Sequence, residues 1–114
     1  MNKSKAFFVA SEESVYPAGE KTTRQFVAYD DNIMMVKVMF EKGAVGAIHK
    51  HPHVQTCYVA AGKFEVNING EIKTLEAGDG FLAEPDIPHG VTCIEKGILI
   101  DVFNPCRKDF LETI

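Results

Sequence analysis

Nowhere in its 114 residues does this sequence hold an apolar run close to the roughly 20 residues that a membrane-spanning helix needs, so no membrane partner is expected. The apolar run beginning at Ala6, after Lys3 and Lys5, is too short for the core of a signal peptide, and the expected compartment is the cytoplasm. Cysteine is scarce. Cys57, Cys93 and Cys106 are odd in number and show no CxxC spacing. A disulfide framework is therefore unsupported, and reduced, mostly buried thiols are expected. Basic charge is in deficit as well, with 12 Lys and Arg against 16 Asp and Glu for a formal net charge of −4. Lys3, Lys5, Lys21 and Arg24 are scattered, which reads as solvated surface charge and speaks against nucleic acid as a partner. Helical periodicity is nearly absent, the tail from Arg107 onward being the one candidate. There is no internal repeat, linker or low-complexity segment.

What the chain has is alternation. Hydrophobic residues make up 46%, and a domain of this size buries roughly two-thirds of the surface its unfolded chain exposes. A single domain over residues 1–114 is expected. Met34, Val36, Val38 and Phe40 alternate with Met35, Lys37 and Met39, the two-residue period of a strand. Phe64, Val66 and Ile68 alternate with Glu65, Asn67 and Asn69, and Asn69-Gly70 adds a hairpin signal. A strict two-residue turn there sets Ile68 opposite Glu71, so a bulge or longer loop is expected instead. Further strand-like runs are Arg24–Tyr29, Thr56–Ala60, Gly80–Ala83, His89–Ile94 and Ile98–Phe103. Turn signals stand at Asp30-Asp31-Asn32, Gly43, Gly62, Gly78-Asp79, Pro85 to Pro88 and Glu95-Lys96-Gly97. Many short strands about ten residues apart point to an all-β sandwich or barrel.

The four histidines fall in two places, the run His49-Lys50-His51-Pro52-His53 and His89 at the start of a strand. Residues two apart on a strand project to one side, so His49 and His51 point together and can meet one cation. Neutral imidazole is the commonest transition-metal ligand, and two from one strand need partners from elsewhere. Gln55 keeps the parity of His51 if the strand stays regular, which makes its amide oxygen a candidate third ligand, and His89 is a candidate fourth. His53 suits a supporting or solvent place on the loop side. On spacing alone, an ordinary surface or core role for these side chains stands level with a metal site.

These residues resemble the two cupin motifs, over about half of the chain. Gly43, five residues, His49-Lys50-His51, three residues, Gln55, six residues and Gly62 keep every spacing of the first motif, with glutamine where many cupins have glutamate. In the second, Gly78 and His89 keep their spacing, while Glu84, Asp86 and Cys93 replace proline, glycine and asparagine. Pro85-Asp86-Ile87-Pro88-His89-Gly90 still resembles a common cupin variant. The resemblance implies an all-β cupin fold, a double-stranded β-helix or jelly-roll barrel. It also implies one divalent transition metal (nickel, zinc, iron, cobalt or manganese), held in the barrel mouth by His49, His51, Gln55 and His89. The fold leaves the reaction open, because cupins host many activities.

A narrower similarity runs through His49 to Gln55, Tyr58-Val59, Pro85 to Gly90, and Asp101-Val102-Phe103-Asn104-Pro105-Cys106-Arg107-Lys108-Asp109-Phe110-Leu111. Here the chain resembles the KdgF family, single-domain cupins of pectin and alginate catabolism. These convert 4,5-unsaturated uronates, released by polysaccharide lyases, into linear 4-deoxy-5-keto-uronates. The resemblance implies that Gln55 belongs to the metal shell, that Asp101 and Arg107 carry the catalysis, and that Phe103 and Arg107 face a small anionic sugar. A homodimer, usual for small cupins, is implied too. Val54 departs from the family's usual glutamate and Cys106 from its more usual proline, and neither position is assigned chemistry.

The residues themselves suit such chemistry. Asp101 shares a strand face with Leu99 and Phe103, while Ile98, Ile100 and Val102 make the opposite face apolar. An aspartate in such a strand is unfavourable to bury unless paired or put to use, and pairing with Arg107 or a lysine is the plainer reading. Three neutral imidazoles and a neutral amide leave a bound divalent metal its full charge, suited to polarising an oxygen of an anionic substrate. Arg107 would clamp the carboxylate, and Asp101 would act as general acid/base while C4 takes up a proton and the ring opens. Two other classes stand beside this one. Metal-dependent cupin oxygenases more often carry three histidines and a glutamate, and a non-catalytic sugar-binding or sensing module has less use for Asp101 and Arg107. Cys57, assigned to the face opposite Gln55, is read as core packing. Cys93, on the side of His89, is read as a cavity-lining thiol rather than a ligand.

Overall fold

The computed structural model describes all of residues 1–114. After one turn of 3-10 helix at Ala10–Glu12 come β1 (Tyr16–Pro17), β2 (Thr22–Tyr29), β3 (Met34–Phe40), β4 (Val45–His49), β5 (Val54–Ile68), β6 (Glu71–Glu76), β7 (Gly80–Ala83) and β8 (His89–Asn104), then α1 (Lys108–Leu111). No helix is long and apolar enough to cross a membrane. Every strand pairing is antiparallel. The path runs β1-β2-β3-β8-β5-β6, with β4 added against β8 and β7 against β5.

β5 and β8 are the shared spine. The first half of β5 pairs with β7 and with the second half of β8, which also carries β3. Its second half pairs with β6 and with the first half of β8, which carries β4. One continuous sheet is thereby folded into two layers, the expected jelly roll.

The sequence reading breaks each spine strand in two, with turns at Gly62 and at Glu95–Gly97. The chain bends there without turning back. The register slips between Val59 and Phe64, and Gly62 has a φ of +82°. A side chain on Gly62 would collide with the backbone of Lys96 and Gly97, and one on Gly97 with that of Ala61. Glycine here marks a bulge where two backbones touch, a use that looks the same in sequence as a turn. At Asn69-Gly70 the turn is the strict two-residue form, with φ of 51° and 90°, and Ile68 does stand opposite Glu71. Positive φ at both central positions matches the twist of the flanking strands. Glu71 meets no penalty there, because β6 is exposed along nearly its whole length.

Met34, Val36, Val38 and Phe40 face inward as their alternation predicts and meet Val59, Phe64, Val66 and Leu99 between the layers. Phe40 stands edge-on to Phe64 at 5.1 Å. All three cysteines are free and buried. The tail forms a single helical turn whose Phe110 ring lies 4.2 Å from the Arg24 guanidinium. Arg24 is therefore no solvated surface charge. Burial and the nearby Arg107 push its pKa below the usual guanidinium value, an environment created by a segment more than 80 residues away in sequence.

Candidate active site and metal centre

His49 closes β4, His89 opens β8, and the two are direct partners in the β4–β8 register. Their rings stand 4.6 Å apart. His51 lies in the connection between β4 and β5, outside any strand, so strand parity does not explain its place. The loop turns it inward, and its carbonyl accepts a hydrogen bond from the Asp86 N–H at 2.8 Å. Asp86 holds the left-handed conformation, φ +62°, at the motif position where glycine is usual; aspartate is one of the few other residues that tolerates it. The His51 ring comes within 5.4 Å of His49 and 4.9 Å of His89, and ring nitrogens of the three lie within 4.8 Å of one another.

The backbone sets the tautomer of each ring. Nδ1 of His49, His51 and His89 donates to the carbonyl of Ala47, His53 and Ile87 respectively, each at 2.9 Å. A neutral imidazole that donates from Nδ1 presents a lone pair at Nε2. Burial pushes His51 and His89 below the usual imidazole pKa, which keeps them neutral. Gln55, buried on β5, donates from Nε2 to Asp101 Oδ1 at 2.9 Å, so its amide oxygen faces the histidines. Gln55 Oε1 then lies 3.0 Å from His51 Nε2 and 3.1 Å from His89 Nε2. These are acceptors meeting acceptors with no proton to share. They are the separations of neighbouring ligands at right angles about one cation, about 3.0 Å for bonds of about 2.1 Å. The donor set fits a metal ion.

Asp101 projects from β8 onto the same face as Leu99 and Phe103. Burial pushes its carboxyl above the usual carboxylate range, against hydrogen bonds from Cys57 and Gln55 and the charge of Arg107. Arg107 does not pair with Asp101. Its Nε and Nη2 donate to Asp109 at 3.0 and 2.8 Å, and its guanidinium stacks 3.9 Å from the Phe110 ring centre. Nη1 is buried without a partner. Phe103, 2% exposed, wedges edge-on between His51 and Phe110 at 5.7 and 5.6 Å.

The comparisons with known proteins show the family and the fold. The cupin domain model matches residues 36–103. The pectin degradation protein KdgF of Dickeya dadantii (strain 3937) is 45% identical over 107 residues, 92% of this chain and 97% of that protein. The chain belongs to the KdgF family of cupins. An RmlC-like cupin from Shewanella frigidimarina superposes with a TM-score of 0.94 at 42% identity, covering 96% of this chain and 99% of that one. KdgF from Halomonas sp. does so with a TM-score of 0.90 at 37% identity, covering 94% and 99%.

Three features of this KdgF-family site escape a reading of the sequence. Asp109 orients Arg107, although the charge pattern Arg107-Lys108-Asp109 was in view. Cys57 stands on the face of Gln55, not the opposite one, since both are buried in the same alternating set of β5. Cys93 donates its thiol to the Glu95 carbonyl at 3.0 Å and packs in the core instead of lining the site. The His53 ring packs edge-on against His51 at 5.5 Å but is not among the three whose nitrogens converge, and its carbonyl accepts from His51 Nδ1.

Proposed function

We propose that this protein converts 4,5-unsaturated uronate monosaccharides into linear 4-deoxy-5-keto-uronates, a step of pectin and alginate breakdown. Its kinship with KdgF proteins supports the pathway. The observation that carries the reaction is Gln55, whose amide oxygen faces the Nε2 lone pairs of His51 and His89 while its nitrogen donates to Asp101.

His49, His51, His89 and Gln55 are the residues that hold one divalent transition metal. When bound, that ion supplies Lewis-acid polarisation of a substrate oxygen. Arg107, whose buried Nη1 has no protein partner, supplies the positive charge that draws the sugar carboxylate. Phe103, packed edge-on beside His51, lies beneath the place this reading gives the sugar. Asp101, its pKa raised by burial, is a stronger base than an exposed carboxylate, as suits a general acid/base. It takes the proton of the anomeric hydroxyl as the bond from C1 to the ring oxygen breaks. C4 gains a proton, C5 becomes a ketone, and the product is an isomer of the substrate with no net oxidation. The protein acts as a cytoplasmic homodimer in this reading. The apolar outer row of Ile98, Ile100 and Val102, beside exposed Met35, Tyr58 and Leu82, supports pairing of two copies.

The test is incubation of metal-loaded protein with lyase-generated unsaturated monouronate while following its ultraviolet absorbance. Rapid decay that stops after chelation and in Asp101→Ala is expected. Decay no faster than in buffer would refute the assignment.

A further inference from the structure

The register of β5, β8, β3 and β2 places Arg24 in an inward row. Val59 faces Leu99, Leu99 faces Val38 and Val38 faces Arg24, and directly opposed residues lie on one side of a sheet. Val59, Leu99 and Val38 are buried, so Arg24 continues an aliphatic row with a cation. Its guanidinium is not left to solvent. Nη2 donates to Thr113 Oγ1 at 3.0 Å, Nε is buried without a partner, and Cζ stands 4.2 Å from the centre of the Phe110 ring. The Arg107 guanidinium stacks on the same ring at 3.9 Å. We infer that Arg24 is a positioning residue for sugar binding, its guanidinium anchoring the Phe110 ring and the C-terminal turn so that Arg107 is held at the site.

The C-terminal turn cannot hold itself. α1 has four residues, no side-chain cap and no buried residue, far short of the roughly 12 at which an isolated helix becomes even marginal in water. Its approach is tied to the β2–β3 turn, where Asn104 Nδ2 donates to the Asn32 carbonyl at 2.6 Å and the Cys106 N–H to that of Asp31 at 3.2 Å. Beyond Arg107 the tail meets the barrel through side chains. Phe110 and Leu111 pack against the core, Phe110 stands edge-on to Phe103, and Arg24 reaches both Phe110 and Thr113. The two guanidinium groups on the ring carry like charges, and Asp109 is the one carboxylate bonded to either. The electron-rich face of an aromatic ring attracts a cation. Arg24 can therefore fasten the tail without bringing a second carboxylate, which would compete with an anionic sugar for Arg107. A leucine or methionine at position 24 would fill the row but give the ring no cation and Thr113 no donor.

This inference rests on Arg107 drawing the sugar carboxylate in the proposed reaction. The experiment therefore has two readouts, one of them independent of turnover. In zinc-loaded protein, Arg24→Met is expected to raise KM for unsaturated monouronate about fivefold, the weight of one partly buried cation–π contact, with kcat within about twofold of wild type. Arg24→Gln, which also lacks the cation, carries the same expectation if the methionine variant misfolds. Phe110→Leu changes the tail and leaves the barrel strands intact, and it should raise KM at least as much. Because Arg24 acts through the ring, the double variant should be no worse than Phe110→Leu alone. Separately, NMR follows the Arg107 Nε–H, assigned by its loss in Arg107→Lys; its exchange with water should quicken about fivefold in the Arg24 variants as the tail opens more often. An unchanged KM, an Arg107 signal indifferent to loss of Arg24, or an additive loss in the double variant would each overturn the inference. Absent turnover in wild-type protein, with the Arg107 exchange responding as expected, would refute the substrate reading and leave the anchoring by Arg24 standing.

Discussion

Gln55→Glu is nearly isosteric and makes the sharpest test of the site. Glutamine is the one side chain of this shape that offers an acceptor to a metal and a donor to Asp101 at once; glutamate, usual at this cupin position, offers acceptors only. The substitution turns the 2.9 Å donor contact with Asp101 Oδ1 into two carboxylate oxygens at that distance. At an effective dielectric of about 20, two unit charges so placed repel by about 6 kcal/mol. The pair must bind a proton between its members or push Asp101 aside. If nearby positive charge relieves half of that repulsion, about 3 kcal/mol still opposes the working state of Asp101, or roughly a hundredfold in kcat. Metal content should be unchanged or higher, since the new ligand is an anion. The assay is steady-state decay of unsaturated-uronate absorbance, with metal analysis and circular dichroism on the same samples. A folded, metal-replete variant keeping kcat within about threefold of wild type would refute the dual role of Gln55.

Asp109→Asn weakens the fork that holds Arg107 while leaving Nη1 free. Because Asp109 itself is largely exposed, the effect is moderate, about a three- to tenfold rise in KM for the sugar with kcat little changed, as initial-rate kinetics would reveal. Burial depresses His51 and His89, so protons bind the unfolded chain first. The metal-free protein should then be most stable above about pH 6.5 and lose stability as pH falls from there through the lower folded values; a thermal midpoint flat between pH 8 and 5 would contradict that burial. Gly97→Ala forces a methyl into the Ala61 backbone and should destabilise by more than about 3 kcal/mol, read from urea unfolding.

Which parts of this were legible in the sequence follows from the range of the forces involved. The alternation of Met34 to Phe40 and the presence of a turn at Asn69-Gly70 depend on neighbours a few residues away, and a linear reading finds them, whereas His51 reaches His49 from a loop and not by strand parity. Gly62 and Gly97 were visible as glycines, but whether each turns or bends the chain depends on the strand lying against it.

By itself the sequence determined a β-rich chain, its inward rows, and which side chains could bind a metal. The tertiary structure alone decided how those side chains are used. Register put His89 beside His49 and Cys57 across from Asp101, since pairing is set by hydrogen bonds between strands distant in sequence. The folded tail gave Arg107 to Asp109 and left Asp101 to Gln55. Backbone carbonyls turned three imidazole lone pairs toward one point. The register contacts join segments that only the closed barrel brings together, whereas the Nδ1 bonds and the Arg107–Asp109 fork each span two residues, and the barrel decides only what they face.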